Sequence, residues 1–259
     1  MLNVTAEDME GRFWFANSYA EAAGRFLIAC DDLRNAGHKV ENERLEIGMT
    51  GPDGEPLCID VAVVGSLQSG KVLLSSSGVH GVEGYPGSAI QLAVMDDLSK
   101  QEPFKDHAII FVHIINPYGM AWWRRFNENN VDLNRNFLKR GQKYEGVAEG
   151  YEKVREFINP ESPPPQKERW FKLKSLNLIR KYGFNNLKQW IAEGQYEYPK
   201  AIQYGGNCLQ PGPDLLLNWL DKKLESVSHI WAIDLHTCLL YTSPSPRDQR
   251  GSGVAGSGG

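Results

Sequence analysis

Three short polar motifs constrain this chain more than any other feature: His80-Gly-Val-Glu83, Asp132-Leu-Asn134-Arg135 and Asp234-Leu-His236. The run Lys71 to Ser77 reads as a buried strand. Gly78 and Gly81 punctuate a turn around His80, and Pro86 opens a helical pattern from Gly87 to Leu98. His80 and Glu83 therefore fall on the loop at the carboxyl end of a strand, where open α/β sheets place their ligand sites. The apolar run His229 to Leu235 ends at His236 in the same setting. Two strand-end histidines can then converge on one ion.

The remaining pattern alternates. Ser18 to Ala36 carries apolar residues at Ala22, Phe26, Ala29 and Leu33 and reads as an amphipathic helix stopped by Gly37. Arg44 to Met49 and Leu57 to Val64 read as strands of a hairpin around the turn Gly51-Pro-Asp-Gly54, and Ala108 to Ile115 as a further strand. Glu161-Ser-Pro-Pro-Pro165 reads as a loop, followed by helices from Trp170 to Tyr182, Phe184 to Glu193 and Leu215 to Leu224. The predicted class is α/β, with a mixed, largely parallel sheet and helices on both faces. The stretch between Arg135 and His236 is expected to wall or cover a cleft, and its aromatics Trp170, Phe171, Trp190, Tyr196 and Tyr198 read more readily as core than as substrate contacts.

Hydrolytic zinc takes three nitrogen or oxygen ligands from protein and leaves a position for water, a count that His80, Glu83 and His236 fit. Such an ion polarises a scissile carbonyl and lowers the pKa of its bound water to about 7. A guanidinium is a planar fork that pairs two-pronged with a carboxylate, so Arg135 suits a free C-terminus, with Asn134 adding a donor. Taken alone, a His-x-x-Glu pair also fits a surface or helix-cap pair, and Arg124, Arg125 and Arg135 fit a solvated basic loop. The turn-prone segment Asn127-Glu-Asn-Asn130, directly after a strand and its Asn116-Pro117 turn, favours a pocket.

These motifs resemble the zinc carboxypeptidase (carboxypeptidase A-like) superfamily, and their wording resembles a bacterial branch known as a domain of unknown function. The likeness runs from the N-terminal helix to Thr237 and covers residues 78–84, Asn116-Pro-Tyr-Gly119, Arg124 to Phe137, Tyr204-Gly-Gly206 and Asp234 to Thr237. It implies a zinc (Zn2+) hydrolase with His80, Glu83 and His236 as ligands, and with Asn134 and Arg135 holding the substrate's carboxylate. It also implies an arginine steadying the oxyanion, Arg125 in first place and Arg124 as alternate. The expected activity is cleavage of an amide bond beside a free carboxylate in a peptide or acyl-amino acid. An N-acyl amino-acid deacylase of the aspartoacylase type and a metal-binding protein without turnover are the alternatives.

The family pattern also has a general-base glutamate downstream of the last histidine, whereas no glutamate follows Glu225 here. Cys238 to Asp248 reads residue for residue as the translation of a transposase sequencing adapter, and Gln249 to Gly259 is nearly all Gly, Ser and Ala. One domain over residues 1–237, C-terminally incomplete, and a non-native or disordered tail over 238–259 are therefore expected, with metal binding retained and turnover lost.

An apolar share of 41% supports one sizeable core, and a formal net charge of −4 favours neither nucleic acid nor a membrane as partner. No apolar run is long enough to span a bilayer and Met1 to Arg12 lacks signal-peptide character, which makes the cytoplasm the expected compartment. Setting Cys238 aside, Cys30, Cys58 and Cys208 show no metal spacing and read as reduced thiols. His113 reads as a hydrogen-bonded core histidine, and His38, His107 and His229 as solvent-facing. Ser75 to Ser77 lack a Gly-x-Ser-x-Gly setting, which disfavours serine hydrolase chemistry.

Overall fold

A computed structural model describes residues 13–160 and 170–237. The expected tail from Cys238, the N-terminal stretch Met1 to Arg12 and the loop Glu161 to Pro165 lie outside the described residues. Contacts group the chain into two compact units, one of residues 1–125 with 214–259 and one of residues 126–213.

The first unit is built on a five-stranded sheet of β1 (Val40–Thr50), β2 (Pro56–Gly65), β3 (Lys71–Ser77), β4 (Ala108–His113) and β5 (His229–Leu235), ordered β1-β2-β4-β3-β5. It is mixed, as expected. The parallel share is smaller than anticipated, because β1 with β2 and β2 with β4 run antiparallel while β4 with β3 and β3 with β5 run parallel. Periodicity marks a strand but does not choose its neighbours, and here the hairpin β1–β2 docks against β4. Every residue of β4 is buried, as is all of β2 beyond Pro56, so their apolar runs lack the alternation of a half-exposed strand.

Helix α1 (Tyr19–Asn35) starts where the Ser18 hydroxyl accepts from the Glu21 amide, satisfying an otherwise orphan donor. It packs with α2 (Gly84–Ser99) over one face of the sheet, where Phe26, Leu33, Leu92 and Met95 meet Ala62, Val64 and Phe111. Pro86 lies inside the first turn of α2 rather than opening it, a position where no intrahelical N–H bond is lost. At the carboxyl edge of this face a polar row crosses the sheet. Arg44 donates to Asp60 (2.6 Å), Asp60 is registered with His113, and His113 Nε2 meets the Ser88 hydroxyl of α2 (2.8 Å). β4 stops at His113 because Ile114 turns to φ 65.

His113 is fully buried and stacks on Phe26 (centroids 4.5 Å apart), while burial, helped by the charge of Arg44, pushes its imidazole down to about 3. His38 corrects the solvent-facing expectation. It is buried and bonds the Leu98 carbonyl through Nε2 (2.9 Å).

α3 (Pro117–Ala121) belongs to the first unit; the second contains α4 (Glu149–Glu152), α5 (Arg155–Ile158), α6 (Phe171–Tyr182) and α7 (Phe184–Glu193), and α8 (Pro211–Leu224) follows in sequence. Buried Asn136 ties the unit together, donating to the Gly205 and Cys208 carbonyls and accepting from the Gln210 amide. Gly205 has no room for a side chain, since a Cβ there would lie 2.2 Å from the Tyr196 ring. No residue of α6 or α7 is buried, and Trp170 and Phe171 are exposed rather than core. No described helix is long and apolar enough to cross a membrane.

Candidate metal centre

β3 ends at Ser77, and its direction is continued by backbone bonds from Ile115 N to Ser77 O (2.9 Å) and from Asn116 N to Gly78 O (3.0 Å). Gly78, at φ 68, then turns the chain into His80 and a single 3-10 turn, Gly81–Glu83. This loop is bolted to the segment after α3. Gly81 N donates to Arg125 O and Val82 N to Arg124 O, both at 3.1 Å. The Asn116 side chain holds the same segment, accepting from Gly119 N (2.8 Å) and donating to Arg125 O (3.2 Å). A Cβ at Gly81 would lie 2.1 Å from the Gly119 carbonyl carbon, which explains the glycine: only a bare backbone lets the two loops touch.

On β5, residues two apart share a face, so Asp234 and the strand-end His236 reach the same region. His80 Nδ1 lies 3.1 Å from Glu83 Oε1, and His236 Nδ1 lies 3.2 Å from Glu83 Oε2. The three residues each present one ligand atom, all within 4.8 Å of one another. His236 Nε2 faces Asp234 Oδ2 at 2.6 Å, and the Ser76 hydroxyl on neighbouring β3 donates to Asp234 Oδ1 at 2.8 Å. Asp234 is the site residue that sequence reasoning left without a role; its i,i+2 spacing from a strand-end histidine was the available signal. Arg125 donates to His80 Nε2 (2.7 Å), with its other terminal nitrogen 3.9 Å from Glu83. The Arg124 guanidinium lies 5.9 Å from the Tyr118 ring centre.

The charges interlock. Burial alone would raise the Glu83 carboxyl, yet hydrogen bonds and charge from His236 and His80 hold it well below the ordinary carboxylate range. Asp234 and then Glu83 push the His236 imidazole up to about 10. Two imidazole nitrogens and a carboxylate, with an outer carboxylate orienting one ring, are the donor set zinc takes in hydrolytic sites, so these residues fit the ion.

In the second unit, Asp132 caps the turn Leu133–Arg135 by accepting from Asn134 N (3.1 Å), and its fully buried side chain pairs with Arg135 at 2.5 Å. Arg135 also donates to the Ala192 carbonyl, so part of its fork is engaged within its own unit, while Asn134 is exposed.

The sequence profile of a family described as "Protein of unknown function (DUF2817)" matches residues 15–242. No curated protein matches the chain. Among solved structures, bovine thrombin-activatable fibrinolysis inhibitor, in complex with tick carboxypeptidase inhibitor, is similar at 15% identity and TM-score 0.50, over 92% of this chain and 69% of that one. That likeness shows the carboxypeptidase-like α/β fold. Murein-tripeptide amidase MpaA from Escherichia coli O157 matches at 16% identity and TM-score 0.37, over 75% of this chain and 60% of that one. An aspartoacylase family protein from Mesorhizobium loti matches at 18% identity and TM-score 0.30, over 76% and 71%. The chain spans about half or less of several other structures it matches.

Proposed function

Since the chain belongs to the family described as a protein of unknown function, DUF2817, and has a carboxypeptidase-like fold, we propose from its own side chains that it is a zinc-dependent hydrolase. The observation that carries this is the convergence of His80, Glu83 and His236 on one point, with Asp234 behind His236. Zinc held there would supply a Lewis acid for a carbonyl and hydroxide near neutral pH. Glu83 contributes the negative charge of the site, and Asp234 fixes the orientation of the His236 ring. Arg125, one-third exposed beside His80, is the group we assign to an oxyanion, since a guanidinium stabilises developing negative charge without having to lose a proton.

The proposed substrate is a peptide or acyl-amino acid cleaved at an amide bond next to a free carboxylate. Asn134 and the N–H donors of Arg135 not engaged by Asp132 and Ala192 are assigned to that carboxylate, with Arg124 as a secondary cation. Free Cys30, Cys58 and Cys208 favour a reducing compartment, the cytoplasm. The test is a panel of N-acyl amino acids and short peptides, each with free and amidated C-termini, offered to the zinc-loaded chain and to His80→Ala. One zinc per chain, lost in His80→Ala, is expected, with little turnover because no glutamate follows Glu225 to serve as general base; residual cleavage should be confined to free carboxylates, and acyl-amino acids alone as substrates would make it a deacylase. A chain that binds no zinc, or that cleaves free and amidated C-termini alike, would refute this reading.

A further inference from the structure

The hairpin of α6 and α7 has no buried residue. Within it, the less exposed positions of α6 are Ser175, Leu178 and Tyr182, spaced three and four apart, and they define its inner face. That face has partners: Phe171 stacks on Phe157 (5.3 Å), Tyr182 meets Trp190 edge-on (5.5 Å), and Trp190 sits against Gly150. Elsewhere the hairpin has large apolar groups in water. Leu173 is 56% exposed, Leu176 63%, Phe184 63% and Trp170 64%. Single exposed apolar residues are ordinary, but a set this dense on two adjacent helices marks an interaction surface.

Charge identifies what it fits. Residues 170–193 contain Lys172, Lys174, Arg180, Lys181 and Lys188 against a single acid, Glu193, at the end of α7. With −4 for the whole chain and +4 for this segment, the rest carries −8. The whole-chain charge that argued against a membrane partner therefore conceals a local basic patch. At 100° per residue Lys172 and Arg180 lie on the same side of α6 as Leu176 and Leu173, so cations flank the apolar groups. We propose that this hairpin docks on an anionic phospholipid surface, lying in the interface with Trp170, Leu173, Leu176 and Phe184 in the acyl boundary and the lysines and arginines at headgroup level. A second copy of the same face would bring net positive charge against net positive charge, and a nucleic acid would leave the aliphatic groups unused.

The experiment is co-sedimentation of the full chain with vesicles of equimolar phosphatidylglycerol and phosphatidylcholine, and of phosphatidylcholine alone, with analytical ultracentrifugation in parallel. The chain pellets with the anionic vesicles and not with the neutral ones. Leu173→Asp combined with Leu176→Asp lowers the partition coefficient by about tenfold or more, since two leucine side chains no longer leave water. Lys172→Gln combined with Arg180→Gln keeps the apolar groups and lowers binding by about thirtyfold, on the scale of roughly 1 kcal/mol per juxtamembrane cation. Circular dichroism melting of both variants reports whether the fold survives. Failure of the wild-type chain to bind anionic vesicles overturns the proposal, as does undiminished binding of the folded leucine variant. Self-association abolished by the leucine pair overturns it in favour of a second copy.

Discussion

Replacing Asp234 by alanine tests the candidate metal centre at the point where geometry, rather than motif, supports it. Asp234 touches no ligand atom; it holds His236 by the nitrogen that faces away from Glu83, at 2.6 Å, and is itself held by Ser76. Without it the ring keeps the Glu83 contact at 3.2 Å and the edge-on packing on His80, and the strand-end residue is freer to rotate. Loss of such an outer-shell partner typically weakens metal binding by about 10–100-fold, or roughly 1.4–2.7 kcal/mol. Ser76→Ala removes one hydrogen bond and leaves the carboxylate in place, so it should cost about 0.5–1.5 kcal/mol and no more than about tenfold. The assay is zinc competition against a chelating indicator at constant pH, with the visible spectrum of the cobalt-substituted chain reporting geometry. The expected order of affinity is wild type, Ser76→Ala, then Asp234→Ala. Asp234→Ala within twofold of wild type, with an unchanged cobalt spectrum, would refute the idea that this carboxylate positions a metal ligand.

Three other perturbations follow from contacts described above. Gly81→Ala drives a Cβ to 2.1 Å from backbone of the neighbouring loop, so the metal loop must move; a stability loss of about 1–3 kcal/mol by urea titration is expected, with weakened zinc binding by the same indicator assay. Arg135→Ala removes the ion-pair partner of the fully buried Asp132, which should cost about 1–3 kcal/mol by urea titration and expose residues 126–213 to limited proteolysis. His113 has its folded pKa depressed to about 3 from an ordinary value of 6.5. The unfolded chain then takes up the proton first, so stability is full above the unfolded value and falls by about 1.4 kcal/mol per pH unit between them as pH drops. At pH 5 the wild-type chain should have lost about 2 kcal/mol to this group relative to pH 8, and His113→Gln should lack that share of the slope in urea titrations at the two pH values.

Local signals were the legible ones. The strand Lys71–Ser77 and the strand His229–Leu235 have the bounds that their apolar runs and flanking glycine and histidine indicated, and the Ser18 cap and Gly37 stop frame the first helix as read. The turn at Gly51–Gly54 announced the antiparallel pairing of β1 with β2, but nothing in β2 announces that its other edge lies antiparallel to β4. Nor could periodicity supply the end of β4, because an isoleucine at positive φ is imposed by packing around Gly78 rather than by its own preference. At the site, His80, Glu83 and His236 come together in space, a convergence that motif order anticipated but could not measure. Arg135 was read as facing a ligand, while the i,i+3 spacing that seats it on Asp132 went unused. Aromatics at helical spacing were taken for core, though a periodic stripe states only that a helix has a side and not what lies against it.

The metal-centre residues are borne by strands of unequal security. β3, which leads into His80 and Glu83, is paired on both edges, whereas β5, which ends at His236 and carries Asp234, is paired only with β3 among the described residues. Its outward side chains Trp231 and Ile233 are more than half exposed. Such a strand can open as a sub-global unit at a free energy below that of the whole domain. A cation bridging the two strands binds only the closed form, and at a hundred times its dissociation constant adds about 2.7 kcal/mol to closure. In this architecture the ion would act as the clasp of the last strand, so that chelation would first be visible as faster amide exchange along residues 229–235, before any global unfolding.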